Sequence, residues 1–222
     1  DLEHYDLLVA PMLYMVKPGL AERIEALVTR GGRFVAGVFS GVADETDLAF
    51  AGAPGPLGRV LGIRVEEIDA LPEGHSNRIV MEDGTSYSCG RLCEIIHCEG
   101  ARALATYGED FYAGGPVLTA HAFGRGHAYY IASDPAQQFL DDFYGRLLAE
   151  LEIAPLLDAP AGVEVALRVA AGRSLLFVLN HTPAPVLVPL PAGQRFHEHL
   201  ADHSASDAIE LPGYGVAILE SK

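Results

Sequence analysis

Tryptophan is absent from this 222-residue chain. Sugar-binding surfaces commonly stack a pyranose on an aromatic face, tryptophan above all, and the last segment offers mainly Phe177, Phe196 and Tyr214. A carbohydrate-binding module is therefore a poorly supplied alternative. Positive charge is also scarce. The chain has 15 Lys and Arg against 30 Asp and Glu, a formal net charge of −15. A phosphate backbone needs a basic stripe and an anionic membrane a basic patch, so nucleic-acid and membrane-surface partners are not expected. No apolar run approaches the roughly 20 residues of a membrane helix, and no signal-peptide pattern opens the sequence. Three cysteines within one short segment make no disulfide framework and suit a reducing cytoplasm. No glycine-rich dinucleotide fingerprint or phosphate-loop lysine follows a strand, and no cofactor is expected.

Half of the residues are hydrophobic, ample for one large domain or one medium and one small domain. Asp6-Leu7-Leu8-Val9-Ala10 reads as a buried strand. Pro18 stands where a helix would start, and Leu20, Ile24, Leu27 and Val28 form its apolar stripe. Gly31-Gly32 ends it, and residues 33–39 form the next buried strand. Strand–helix–strand order implies a parallel pair with a right-handed crossover. Residues 63–68, 91–97 and 101–106 read as further strands, and Gly124-Arg125-Gly126 marks a hairpin between 117–123 and 127–132. Asp134-Pro135 reads as a cap and first turn of a helix striped by Phe139, Leu140, Phe143, Leu147, Leu148 and Leu151.

Residues 154–162 carry Pro155, Pro160 and Gly162 without any period and read as a linker. Beyond it, Val163, Val165, Leu167 and Val169 alternate with less apolar residues, the period of a half-buried strand. Ala171-Gly172-Arg173 turns the chain, and 175–179, 185–190 and 214–219 add strands with no helix between them. The expected organisation is an α/β domain over 1–155 and a small antiparallel β domain over 160–222.

Candidates for chemistry are few. The loop Asp44-Glu45-Thr46-Asp47 brings three carboxylates together, but they are nearly adjacent. A glycosidase pair must face each other across the scissile bond, and a calcium loop wants spaced oxygens with a distal glutamate. A capping or solvated loop, or one that touches another domain, fits better. Cys89, Cys93, His97 and Cys98 suggest zinc, yet three ligands do not converge from one extended strand, and buried cysteines are ordinary core residues. His197-Glu198-His199 with His203 is a second metal-like run, most simply a surface segment. Ser40 follows a strand in Gly37-Val38-Phe39-Ser40-Gly41, but Phe39 precedes it and no clear helix follows, so the surroundings do not match a nucleophile elbow. A free-standing hydrolase or amidotransferase-like enzyme using Ser40 or a cysteine is the competing reading.

Several strings carry more information. They are Ala10-Pro11-Met12-Leu13-Tyr14, the stretch Ser40 to Asp47, Gly55-Pro56-Leu57, Leu61 to Glu67, Ala105-Thr106-Tyr107-Gly108 and Asp110-Phe111-Tyr112-Ala113-Gly114. Together they resemble the middle and C-terminal parts of family 42 β-galactosidases, which follow a catalytic barrel. The resemblance implies an α/β domain of flavodoxin-like or class I glutamine amidotransferase-like fold, then a small β domain. It implies a non-catalytic assembly role, a homotrimer, and a parent enzyme that hydrolyses terminal β-D-galactosides with a barrel absent here. Residue 1 is Asp rather than Met and a strand begins almost at once, so we expect a piece cut from a longer protein. The loop from Ser40 to Leu57, with Ser40, Asp44, Glu45, Asp47 and Phe50, is the candidate contact surface, either to a neighbouring subunit or to the barrel.

Overall fold

The computed structural model describes residues 2–221. Two compact units divide between Leu147 and Leu148. In the first, β1 (Leu7–Ala10) leads through α1 (Leu20–Thr29) to β2 (Arg33–Gly37), and β1 pairs with β2 in parallel. Pro18 lies just before the helix, and Gly19, at φ 79°, takes the N-cap position. Ala21, Ile24, Leu27 and Val28 are buried, the face that the helical spacing predicts.

A short helix α2 (Gly58–Leu61) precedes β3 (Ile63–Ala70), β4 (Ser76–Met81) and β5 (Ser86–Cys98). Then come β6 (Arg102–Tyr107), β7 (Pro116–Phe123), β8 (Gly126–Ile131), β9 (Ser133–Pro135) and α3 (Gln137–Glu150). The strand order is β1-β2-β8-β7-β6-β4-β5-β3, with β9 added beside β5. Among the strands of this sheet only β1–β2 and β2–β8 pair in parallel, and the remaining ladders are antiparallel. The sheet is therefore mixed, where the strand–helix–strand opening alone points to a parallel one. Two further expectations change. β4 and the first half of β5 form a hairpin that the polar run Ser76 to Gly90 disguises. Asp134 and Pro135 belong to β9 rather than to the helix start, because Cys89 and Gly90 offer them a ladder.

Two layers flank this sheet. Ile24, Leu27, Phe34, Ala36, Val60, Leu61, Ala128 and Tyr130 share one core cluster with α1 and α2. Alternate residues of the same strands face the other way. There Tyr129 meets Phe143 edge-on at 5.6 Å, and Tyr87 meets Phe139 at 5.4 Å, so α3 covers the opposite face.

The second unit is antiparallel. β10 (Val163–Ala170), β11 (Arg173–Asn180), β16 (Val216–Ser221), β13 (Phe196–Glu198) and β14 (His203–Ala205) pair in that order, and β12 (Val186–Pro189) pairs with β15 (Ala208–Leu211). Val178, Val188, Phe196, Ile209, Leu211 and Leu219 form its core. The alternation in β10 is only half used: Leu167 and Val169 lie exposed at 39% and 65%, near the hairpin tip.

Candidate functional site

The loops that leave the C-terminal ends of β1 and β2 are laced together. The Gly41 and Val42 amides donate to the Leu13 and Tyr14 carbonyls at 2.8 and 2.9 Å, and Val16 donates to Ala43 at 2.9 Å. Ser40 is fully buried, and its Oγ accepts the Leu13 amide at 3.0 Å. It is a tie between the two loops, and its hydroxyl is not presented to solvent. Gly41 has φ 68°, and a Cβ there would stand 1.9 Å from the Pro54 carbonyl oxygen, so only glycine fits.

Asp44 closes the next turn on itself. Its Oδ1 accepts the Thr46 amide at 2.8 Å, the Thr46 hydroxyl at 2.7 Å and the Leu48 amide at 3.1 Å. The Thr46 bonds hold this carboxyl below its ordinary range. Asp47 takes φ 64° and stands beside the Tyr14 hydroxyl, whose ionisation it pushes up through a hydrogen bond. Glu45 points to solvent. Phe50 packs inward against the α1 core, where its ring would strike any Cβ at Gly55. Of the five sequence candidates, then, Ser40 and Phe50 face inward, Asp44 is tied within its loop, and Glu45 and Asp47 lie exposed.

What these ties hold outward is apolar. Met12, Tyr14 and Leu48 are exposed at 57%, 40% and 67%. Met12 also lines a cavity of about 640 Å³ on the α3 side of the sheet, with Val9, Gly37, Ile131, Leu140 and Tyr144 among others. Arg91 and Asp134 sit at its rim, paired at 2.6 Å. The carboxyl ends of parallel strands are where open α/β sheets present their binding crevices. Met12 and Tyr14 lay outside the sequence candidates. Their position directly after the first strand was the available signal.

Beneath the platform, Glu94 is 1% exposed. Its carboxylate accepts the Phe39 amide at 2.9 Å and the Tyr130 hydroxyl at 2.6 Å. Burial raises its ionisation above the usual carboxylate range, and the two donors pull it back. Phe39 has φ 62°, so Glu94 pins a strained residue at the end of β2.

The metal-like runs do not converge. Cys89 and Cys93 are buried, Cys98 is exposed, and His97 contacts Glu66. His197 and His199 lie 4.5 Å apart edge-on but serve different carboxylates: His199 meets Glu220 at 2.8 Å, and His197 lies 3.6 Å from Asp202. Glu198 is buried and accepts the Leu200 and Ile218 amides. Among the described residues no group of three His, Cys, Asp or Glu side chains is arranged to hold a metal ion, and no helix is long and apolar enough to cross a membrane.

Comparison with known proteins gives this platform a context. Residues 1–154 match the family model of the β-galactosidase trimerisation domain, and residues 162–221 match that of the β-galactosidase C-terminal domain. The catalytic barrel is not among the matched regions. β-Galactosidase BgaA of Planococcus sp. (strain 'SOS Orange') is 47% identical over 225 residues, covering 99% of this chain and 33% of that protein. BglY of Alicyclobacillus acidocaldarius is 41% identical over 229 residues, again 99% and 33%. The crystal structure of the β-galactosidase from Bacillus circulans sp. alkalophilus superposes with a TM-score of 0.89 at 46% identity, covering 100% of this chain and 34% of that one. The chain thus spans about a third of the length of the curated relatives it matches.

Proposed function

Because the chain belongs to the family 42 β-galactosidases, through their trimerisation and C-terminal domains, we propose that it is the assembly portion of an enzyme that hydrolyses terminal β-D-galactosides. Its task is to associate with further copies, three to a ring, and to pack against the catalytic barrel of the parent enzyme. It does no glycosidic chemistry itself. One observation carries this reading: loops cross-tied by backbone bonds hold Met12, Tyr14 and Leu48 outward, and Met12 also lines an apolar cavity, inside the region that matches the trimerisation domain. A rigid apolar patch with charged surroundings is the anatomy of a protein contact.

The fold reading extends this. A parallel β1–β2–β8 core with α1 and α2 on one face and α3 on the other, and the left-handed Phe39 just after β2, support a class I glutamine amidotransferase-like ancestry. Ser40, the nearest candidate nucleophile, is buried and spends its Oγ on the Leu13 amide, in keeping with a scaffold that does no catalysis. Domain limits of 1–155 and 160–222 suit the exposed segment after α3. Three free cysteines suit a cytoplasmic protein.

Multi-angle light scattering over a dilution series tests the assembly role. We expect a trimer whose dissociation constant rises at least about 30-fold in Leu48→Asp. Phe50→Asp is a poor probe, because it should unfold the loop. A chain that stays monomeric at every concentration, and that also fails to bind a separately produced barrel of its parent, would remove this function.

A further inference from the structure

A three-fold ring is built from heterologous contacts, so each copy must carry two different, complementary patches. The apolar cavity beside β1 and β2 is one. The second is on the loop between β6 and β7. Phe111 is 76% exposed, the most exposed large hydrophobic side chain among the described residues. Such a ring in water is costly unless it is covered, and its loop is braced from both sides. Asn77 bonds the Glu109 carbonyl and amide at 3.0 Å each. Tyr112 is buried, packs edge-on against Phe111 at 4.9 Å and donates to Asp69 at 2.8 Å. Asp110, at φ 68°, accepts the Phe111 amide at 2.7 Å. A pre-organised aromatic knob of this kind is what binding hot spots use, since little side-chain entropy remains to be lost.

The two patches match. No residue lines both the cavity and the shallow hollow beside Phe111. The cavity, at about 640 Å³, is large enough for a phenyl ring with its flanking backbone. Charge agrees as well. Arg91 at the cavity rim is 86% exposed and gives its Nε–H to Asp134, leaving guanidinium donors for another carboxylate. The knob carries Glu109 and Asp110 beside the ring; Glu109 is already paired with Arg78 at 2.9 Å, and Asp110 makes no ion pair among the described residues.

We propose that the occupant of the cavity is a second copy of this chain, whose Phe111 loop inserts between Met12 and Tyr144 with Asp110 set against Arg91. This rests on the self-association described above and names the surfaces that perform it. Each copy gives a knob to one neighbour and a cavity to the other.

The test uses two variants at exposed positions, Phe111→Asp and Val9→Glu, the first removing the knob and the second charging the cavity. Each alone should lose self-association at least about 30-fold in dissociation constant. An equal mixture should form a heterodimer of one copy each and stop there, because one intact knob and one intact cavity remain. In a Cys98→Ser background, Phe111→Cys with Met12→Cys should give disulfide-linked trimers on mild oxidation. Wild-type chain that is monomeric throughout would overturn the self-association reading. Wild-type trimers with Phe111→Asp still trimeric, or mixtures that remain monomeric, would overturn the knob and cavity alone. Mild oxidation that closes the two cysteines within one chain would do the same.

Discussion

At the scale of single residues, backbone conformation decides more than side-chain chemistry. Gly41 lies at φ 68° against the Pro54 carbonyl. Gly41→Ala should cost more than about 1 kcal/mol and lower the melting temperature of the first unit by at least about 3 °C, read by calorimetry. A charge argument belongs to Glu220 in the second unit. Arg173 grips it with two bonds of 2.7 Å, His199 adds a third, and its ionisation falls from 4.5 to about 2. A depressed carboxyl stabilises the fold fully above its unfolded value of 4.5 and loses that contribution as pH falls toward 2. Melting curves from pH 6 to pH 2 should therefore show a shallower acid decline in Glu220→Gln than in the wild type. Parallel declines would mean that the Arg173 pair adds nothing.

At the scale of elements, the β10–β11 hairpin has a two-residue turn with Ala171 at φ 51° and Gly172 at φ 76°. Both central residues are left-handed, the geometry that favours asparagine then glycine. Ala171→Asn should stabilise the second unit by about 0.5–1 kcal/mol, part of the roughly 1–2 kcal/mol that a left-handed residue costs. Urea denaturation checks this through a higher midpoint at unchanged slope. In the first unit the loops after β1 and β2 act as one element. Their hydrogen bonds run between the two strand ends, so neither loop keeps its shape without the other.

At the scale of the whole molecule, the chain is two compact units, each with its own core. The backbone at 152–156, just beyond α3, is exposed. Limited proteolysis should cut there first and leave two resistant fragments. Early cleavage inside either sheet would contradict that division. The purified chain should also leave a chromogenic β-galactoside intact, since the regions it matches are the trimerisation and C-terminal domains and not the catalytic barrel. Turnover that is abolished by Asp44→Asn or Glu45→Gln would refute a purely assembling role.

Local periodicity determined the elements whose neighbours lie close in the chain. The stripes Ile24–Leu27–Val28 and Phe139–Phe143–Leu147 are buried as their spacing requires, and Gly124-Arg125 turns the β7–β8 hairpin, because a side chain's face follows from its position within one helix or strand. The family strings determined the kind of protein. Strand order, and with it the platform, came only from tertiary structure. That β9 joins β5, that β3 pairs with the far half of β5, and that β16 lies between β11 and β13 all depend on ladders between residues far apart. The same holds for direction. Phe50 and Leu48 are two residues apart in one loop, yet Phe50 turns into the α1 core and Leu48 into solvent: Asp44 closes the turn that ends at Leu48, while the Phe50 amide is tied back to the Val42 carbonyl at 2.9 Å. Periodicity has no hold on a loop, so which of its apolar residues faces a partner is decided by the contacts that fold it.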